Sequence, residues 1–154
     1  MLKSKAVYSG FIILLLVPEA LWGQTLVASA QVNLQSPLEV SESSALNFGN
    51  IVNLSGSCHM QDDGELIASG GQTCSGTQVP AQFNINGDAG SSVDVFVGVN
   101  HSIPGLTFVP KLVGDETKNL VGGSASFQVV GTLNISSPTE GTYAVPYVVT
   151  VNYQ

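Results

Sequence analysis

The sequence contains no arginine, and its four lysines stand against eleven acidic residues, for a formal net charge of −7. A chain this poor in basic groups lacks the patches that hold nucleic acid or anionic membrane surfaces. Charged residues of both signs make up only 10% of the chain, so the acidity reads first as what keeps an apolar, charge-poor protein soluble. Cysteine is nearly absent: Cys58 and Cys74 are the only two, and no C-x-x-C redox motif exists. Cys58, His59 and Cys74 offer too few ligands at recognised spacing for a metal site, and no cofactor motif is present. The only histidines are His59 and His101, and neither G-x-S-x-G nor H-E-x-x-H occurs. Catalysis therefore has no support, and a non-enzyme is expected. No sustained 3.6-residue periodicity appears, which removes amphipathic helices.

What is present begins with an export signal over residues 1–23. Lys3 and Lys5 form its positive start, residues 11–17 (FIILLLV) its apolar run, and Pro18 ends that run. The run falls well short of the roughly 20 apolar residues that span a bilayer, so stable membrane insertion is not expected. Cleavage after Gly23 is preferred over the Ala28-Ser29-Ala30 site, which lies far beyond the apolar run. No cysteine follows the run to carry a lipid. In an exported chain Cys58 and Cys74 most simply form one disulfide.

Residues 24–35, QTLVASAQVNLQ, alternate at period 2. Leu26, Ala28, Ala30, Val32 and Leu34 share one face, and mostly polar residues share the other. No turn chemistry ties this strand to a following partner, so it must find a sheet edge in its own molecule or in another. Further alternation follows. Leu38 and Val40 keep the even phase before a polar turn at residues 41–44. A strand is expected over 45–52, with Gly49 as a bulge. Asp62-Asp63-Gly64 reads as a hairpin turn. Residues 79–85, 93–99 and 106–109 read as strands, the last closed by Pro110, and residues 114–119 as a solvated loop. A strand opens at Gly122-Gly123, with Ala125, Phe127, Val129, Leu133 and Ile135 in one phase. The strongest alternation is the last: Tyr143, Val145, Tyr147, Val149, Val151 and Tyr153, with Pro146 on the opposite phase. Proline cannot donate to a ladder, so this strand belongs at an edge, beside a gap, or in a bulge. Seven to nine short strands with turn signals between them form an all-β sandwich pattern.

Asp62, Asp63 and Glu65 lack the spacing of a calcium loop and read as an exposed turn. Asn53, Asn100 and Asn134 head glycosylation triplets, which matter only where that machinery exists. The tyrosines share the apolar phase and read as core rather than as a sugar platform.

Several segments resemble a known family. Residues 46–51, LNFGNI, resemble the L-x-F-G-x-I signature of exported bacterial pilin-like domains. Gly131-Thr132-Leu133 resembles their G-T-L element. Gly141-Thr142-Tyr143 with residues 149–153, VTVNY, resembles their closing G-x-Y…V-T-V-x-Y strand. The combination is similar to an uncharacterised exported domain family that itself looks like spore coat protein U and the archaic chaperone–usher pilins. That resemblance implies an immunoglobulin-like antiparallel β-sandwich, incomplete by one strand, spanning residues 36–154 behind a donor-type strand at 24–35. It implies a non-catalytic surface subunit exported through the periplasm, escorted by a periplasmic chaperone and an outer-membrane usher. It further implies head-to-tail polymerisation with itself or related subunits by strand donation. Carried onto this chain, Leu26, Ala28, Ala30, Val32 and Leu34 would insert, and Tyr143, Val145, Tyr147, Val149, Val151 and Tyr153 would line the acceptor groove. The competing expectation is a self-complete secreted binding or adhesion module whose N-terminal strand pairs within its own sheet. Strand counting leaves the two open.

Overall fold

A computed structural model describes residues 29–136 and 138–154. The chain divides into two units, residues 1–33 and residues 34–154. Of the first, only residues 29–33 are described; they form no strand and are exposed. The export signal, and Leu26 and Ala28 of the expected strand, lie outside the described residues.

The described residues form no helix and twelve strands, more than the seven to nine expected because several are only two or three residues long. In chain order these are β1 (Glu39–Ser44), β2 (Asn50–Ile51), β3 (Gly56–Met60), β4 (Leu66–Ser69), β5 (Cys74–Ser75), β6 (Ala81–Asn86), β7 (Ser92–Val97), β8 (His101–Ile103), β9 (Leu106–Leu112), β10 (Thr117–Asn119), β11 (Ser124–Ile135) and β12 (Val149–Tyr153). All pairings are antiparallel. The fold is all-β and sandwich-like, as the alternation predicts.

The twelve-residue β11 is the spine of the large sheet. β6 borders its first half and β3 its second, while β9 runs along the opposite side of the second half. β1 extends the sheet beyond β6, β4 beyond β3, and β8 beyond β9. The second sheet is small, in the order β10-β7-β12. β2 and β5 form a separate ribbon.

Period-2 alternation on β11 places Phe127, Val129, Leu133 and Ile135 on one face, and that face serves two cores. The first core packs Ala81, Phe83, Ile85, Phe127 and Val129 against Val93 and Val95 of the small sheet, with Leu120 alongside. The second gathers Cys58, Leu106, Phe108, Leu133 and Ile135. Among the described residues no hydrophobic side chain of β7, β10 or β12 packs on this second core; its cover includes Leu46, Phe48, Ile51, Val145 and Tyr147 from largely irregular chain. The small sheet is thus too short for the large one.

Several expectations are corrected. Residues 41–44 are the body of β1 rather than a turn, because they pair in register with β6. β9 passes through Pro110 instead of ending there. Pro110 lies past the end of the β8 pairing and opposite Gly131, so its missing N–H deprives no ladder partner. Residues 117–119 form β10 against β7 rather than a loop. Of the strand expected over 45–52, only β2 and an isolated bridge between Asn47 and Val79 form. Of the strand expected from Tyr143 to Tyr153, only β12 forms. β7 ends at Val97, and Pro146 cannot extend the ladder. Residues 29–35 form no strand. The hairpin at Asp62-Asp63-Gly64 is present between β3 and β4.

Candidate functional site

Over the second core lies a groove of about 1000 Å³. Leu106, Phe108, Leu133 and Ile135 form its floor, residues 45–53 one wall, and residues 138–147 the other. The floor is an ordinary sheet face, apolar at alternate positions of β9 and β11. It remains a floor because, among the described residues, no strand lies across it.

The first wall is irregular chain held at three points. Asn47 and Val79 exchange backbone hydrogen bonds, each 2.8 Å long. β2 pairs with β5, and the Val52 N–H donates to the Thr73 carbonyl (3.1 Å). Cys74 of β5 is bonded to Cys58 of the second core, with Cα atoms 6.1 Å apart. The disulfide therefore ties this wall to the floor. Gln72, a buried polar side chain, adds a hydrogen bond from its Nε2 to the Leu54 carbonyl (2.5 Å).

The opposite wall rests on the β8–β9 turn, where the Ser136 N–H donates to the Gly105 carbonyl (2.8 Å). Within it the Tyr143 hydroxyl donates to the Thr139 carbonyl (2.7 Å). Its last residue, Tyr147, joins both cores. The ring stands edge-on to Phe108 at 5.5 Å and to Phe83 at 6.5 Å, and Phe108 in turn meets Phe48 at 5.7 Å. A second cavity of about 300 Å³ lies beside β12, lined by Glu42, Phe83, Val145, Pro146, Tyr147 and Val149.

Polar side chains line much of the groove's walls, Asn47, Asn50, Thr139 and Thr142 among them. Among the described residues, Glu42 and Glu140 are its only charged lining residues. The Tyr147 hydroxyl is buried without a hydrogen-bond partner. Burial, with the negative charge of Glu42 adding to it, pushes that phenol up to about 12. β12 itself is an edge. The Gly98 N–H donates to the Val148 carbonyl (2.7 Å) and the Gln154 N–H to the Ser92 carbonyl (3.1 Å). The even positions of β12 therefore turn toward β7. The backbone groups of Val149, Val151 and Tyr153 turn the other way, and among the described residues β12 has no second strand beside it.

The six residues expected to line an acceptor groove divide. Tyr143, Val145 and Tyr147 line the groove, and Val149 lines the smaller cavity. Val151 and Tyr153 pack on the first core instead. The Tyr153 hydroxyl reaches the other end of the molecule, accepting from the Asp88 N–H (2.7 Å) and donating to the Ser36 carbonyl (3.0 Å). Of the five expected donor residues, Ala30, Val32 and Leu34 are described; all three are exposed, Val32 at 79% and Leu34 at 85%. Sequence reasoning did not single out Leu46, Phe48, Ile51, Leu106, Phe108, Leu133 and Ile135 as groove residues. Alternation marks most of them as apolar-facing, but no sequence signal says that they gather where the small sheet does not reach.

The remaining candidates do not converge. His59 Nδ1 lies 2.8 Å from Thr132 Oγ1, while His101 stands apart with its Nε2 unpartnered. Asp62 pairs with Lys111 at 2.6 Å, and Asp63 accepts the Glu65 N–H (2.9 Å). Among the described residues no three His, Cys, Asp or Glu side chains come together to hold a metal. No helix among them is long and apolar enough to cross a membrane.

A family model described as "Domain of unknown function (DUF4402)" matches residues 38–153. No curated protein and no solved structure matches the chain.

Proposed function

We propose that this chain, which belongs to the DUF4402 family, is a non-catalytic structural subunit of an exported bacterial surface fibre or coat, assembled by β-strand donation. The observation that carries the reading is the groove. It combines an apolar floor with two irregular walls, and the open edge of β12 begins at Val149, just beyond the second wall. An added strand gains main-chain hydrogen bonds from such an edge and specificity from pockets for alternate side chains. The chain also supplies a matching insert. Residues 24–35 carry no charge, present Leu26, Ala28, Ala30, Val32 and Leu34 on one face, and are exposed where described.

An apolar floor covered only by irregular chain, near an unprotected edge, is an aggregation hazard. The reading therefore includes a periplasmic chaperone that covers the groove in transit and an outer-membrane usher that receives the subunit. Donation from one copy to the next is a heterologous contact and gives an open fibre. The disulfide fits a non-reducing compartment, in keeping with export.

The test is an unboiled gel of native surface extracts, together with a chain lacking residues 24–35. Donation gives a heat-resistant ladder of multimers that the deletion abolishes, and the shortened subunit stays soluble only with a chaperone. A stable monomer without a ladder, indifferent to the deletion, sinks the reading.

A further inference from the structure

A subunit that carries both an insertable strand and an open groove has a competing reaction with itself. Two sites joined by a short chain meet at an effective concentration on the order of millimolar. At micromolar protein, self-insertion would then outrun insertion into a neighbour about a thousandfold. Assembly by donation needs something that holds the strand away from its own groove.

A closed set of hydrogen bonds lies at Ser36, three residues ahead of β1. The Ser36 N–H donates to Asp88 Oδ1 (3.0 Å), the Asp88 N–H donates to the Tyr153 hydroxyl (2.7 Å), and that hydroxyl donates to the Ser36 carbonyl (3.0 Å). The three residues form a closed ring of hydrogen bonds that engages both backbone groups of Ser36. Gly87 makes room for it: a Cβ there would overlap the Tyr153 hydroxyl. Leu38, packed on the first core, seats the chain between the ring and β1.

The ring sets a direction. β1 pairs from Glu39 opposite Asn86 to Ser44 opposite Gln82, so it runs away from Asp88. The groove wall follows β1 at residues 45–53. Ser36 therefore lies at the end of β1 remote from the groove. With Ser36 fixed, a chain returning to its own groove must reverse at residues 33–35. That spends Leu34 in the turn and shortens the reach by about 3.3 Å for each residue used. With Ser36 released, the turn can fall on Ser36-Pro37, a dipeptide suited to a turn's first two positions, and Leu34 runs back beside β1.

We propose that the Ser36–Asp88–Tyr153 ring is a positioning clasp that keeps residues 24–35 out of the groove of their own chain and so commits them to a second copy. This rests on the strand-donation reading.

The experiment compares the full mature chain with Tyr153→Phe, which keeps the ring in the core and removes only the hydroxyl. Asp88→Ala serves as a second variant that leaves the core untouched. Size-exclusion chromatography with light scattering gives the multimer fraction, and hydrogen exchange gives the protection of residues 26–34. The unaltered chain should form multimers with that segment protected. Each variant should lose multimers at least about fivefold, well within the thousandfold preference for closure, and show the segment protected in the monomer. Multimers undiminished in both variants overturn the clasp. So do variant monomers with the segment unprotected, since the ring would then be merely structural. If the unaltered chain itself shows neither multimers nor protection, strand donation fails, and the clasp falls with it.

Discussion

The ring of Tyr147 stands edge-on to that of Phe108, with centroids 5.5 Å apart and planes at 72°. Phe108 belongs to the second core, and Tyr147 also packs against the first. Tyr147, like Leu46, thus joins the two cores. Its ring and its hydroxyl contribute oppositely. Tyr147 is half-buried, so Tyr147→Ala should cost about 2–3 kcal/mol, below the range for a fully buried aromatic. Tyr147→Phe removes a buried hydroxyl that has no partner and should be neutral or slightly stabilising. Urea denaturation of the two variants checks both.

Tyr147 also sets an alkaline limit. Its folded-state value, pushed up to about 12, lies above the value of about 10 for an unfolded tyrosine. The unfolded chain therefore gives up this proton first. The contribution is complete below about pH 10 and is lost as pH rises toward the folded value. Phenolate absorbance should show one tyrosine titrating late, and stability measured across that window should fall. A late transition that persists in Tyr147→Phe would assign the shift elsewhere.

Asp88 sets an opposite limit. Its carboxyl is held below the usual range by hydrogen bonds from the Ser36 hydroxyl and backbone N–H. A lowered folded value stabilises above the unfolded value of about 4 and loses that effect as pH falls through the folded one. The Ser36 amide resonance should move in acid, in step with the Asp88 carboxyl carbon. A Ser36 amide that ignores acid would show that the two groups are not joined in solution.

Reducing the Cys58–Cys74 bond should do two things. A closed loop of this length contributes about 3 kcal/mol in the chain-entropy model, so the midpoint of denaturation should drop. The bond also ties β5, and through it β2, to the floor of the groove. A synthetic peptide of residues 24–35 should therefore bind the reduced protein at least about tenfold more weakly, a loss of roughly 1.4 kcal/mol. Equal affinity in both states would place the wall's support in the Asn47–Val79 bridge and the β2–β5 pairing instead of the disulfide.

Gly131 lies in β11 opposite Pro110, with φ +154°. A Cβ there would overlap the Val109 carbonyl oxygen and come within 2.8 Å of the Phe108 ring. Gly131→Ala must shift backbone as well as side chain, and should cost about 1–3 kcal/mol, as overpacking does. The Phe108 ring would tilt toward the groove and weaken peptide binding. A variant of unchanged stability would show that β9 yields freely at Pro110.

Much of the fold is legible along the chain. The phase shared by Ala125, Phe127, Val129, Leu133 and Ile135 marks the inner face of β11, and the Asp62-Asp63-Gly64 turn marks the β3–β4 hairpin. Such features depend on neighbours within a few residues. The misreadings have a common cause. Residues 41–44 look like a turn, and 114–119 like a loop, because polar edge strands carry no alternation of their own; β6 and β7 supply their order. At residues 143–147 the alternation is clear, but β7 ends before it can pair with them.

The sequence by itself determined an acidic, all-β chain with two cysteines, a period-2 segment at 24–35 and a second at 143–153. Local patterning determines these because side-chain direction in extended chain alternates regardless of partner. Tertiary structure alone decided that the small sheet stops short, and that Leu106, Phe108, Leu133 and Ile135 form a floor. It also decided that Tyr153 turns away from the groove to hold Ser36. Whether an apolar face is covered depends on where distant strands end, and periodicity carries no information about that.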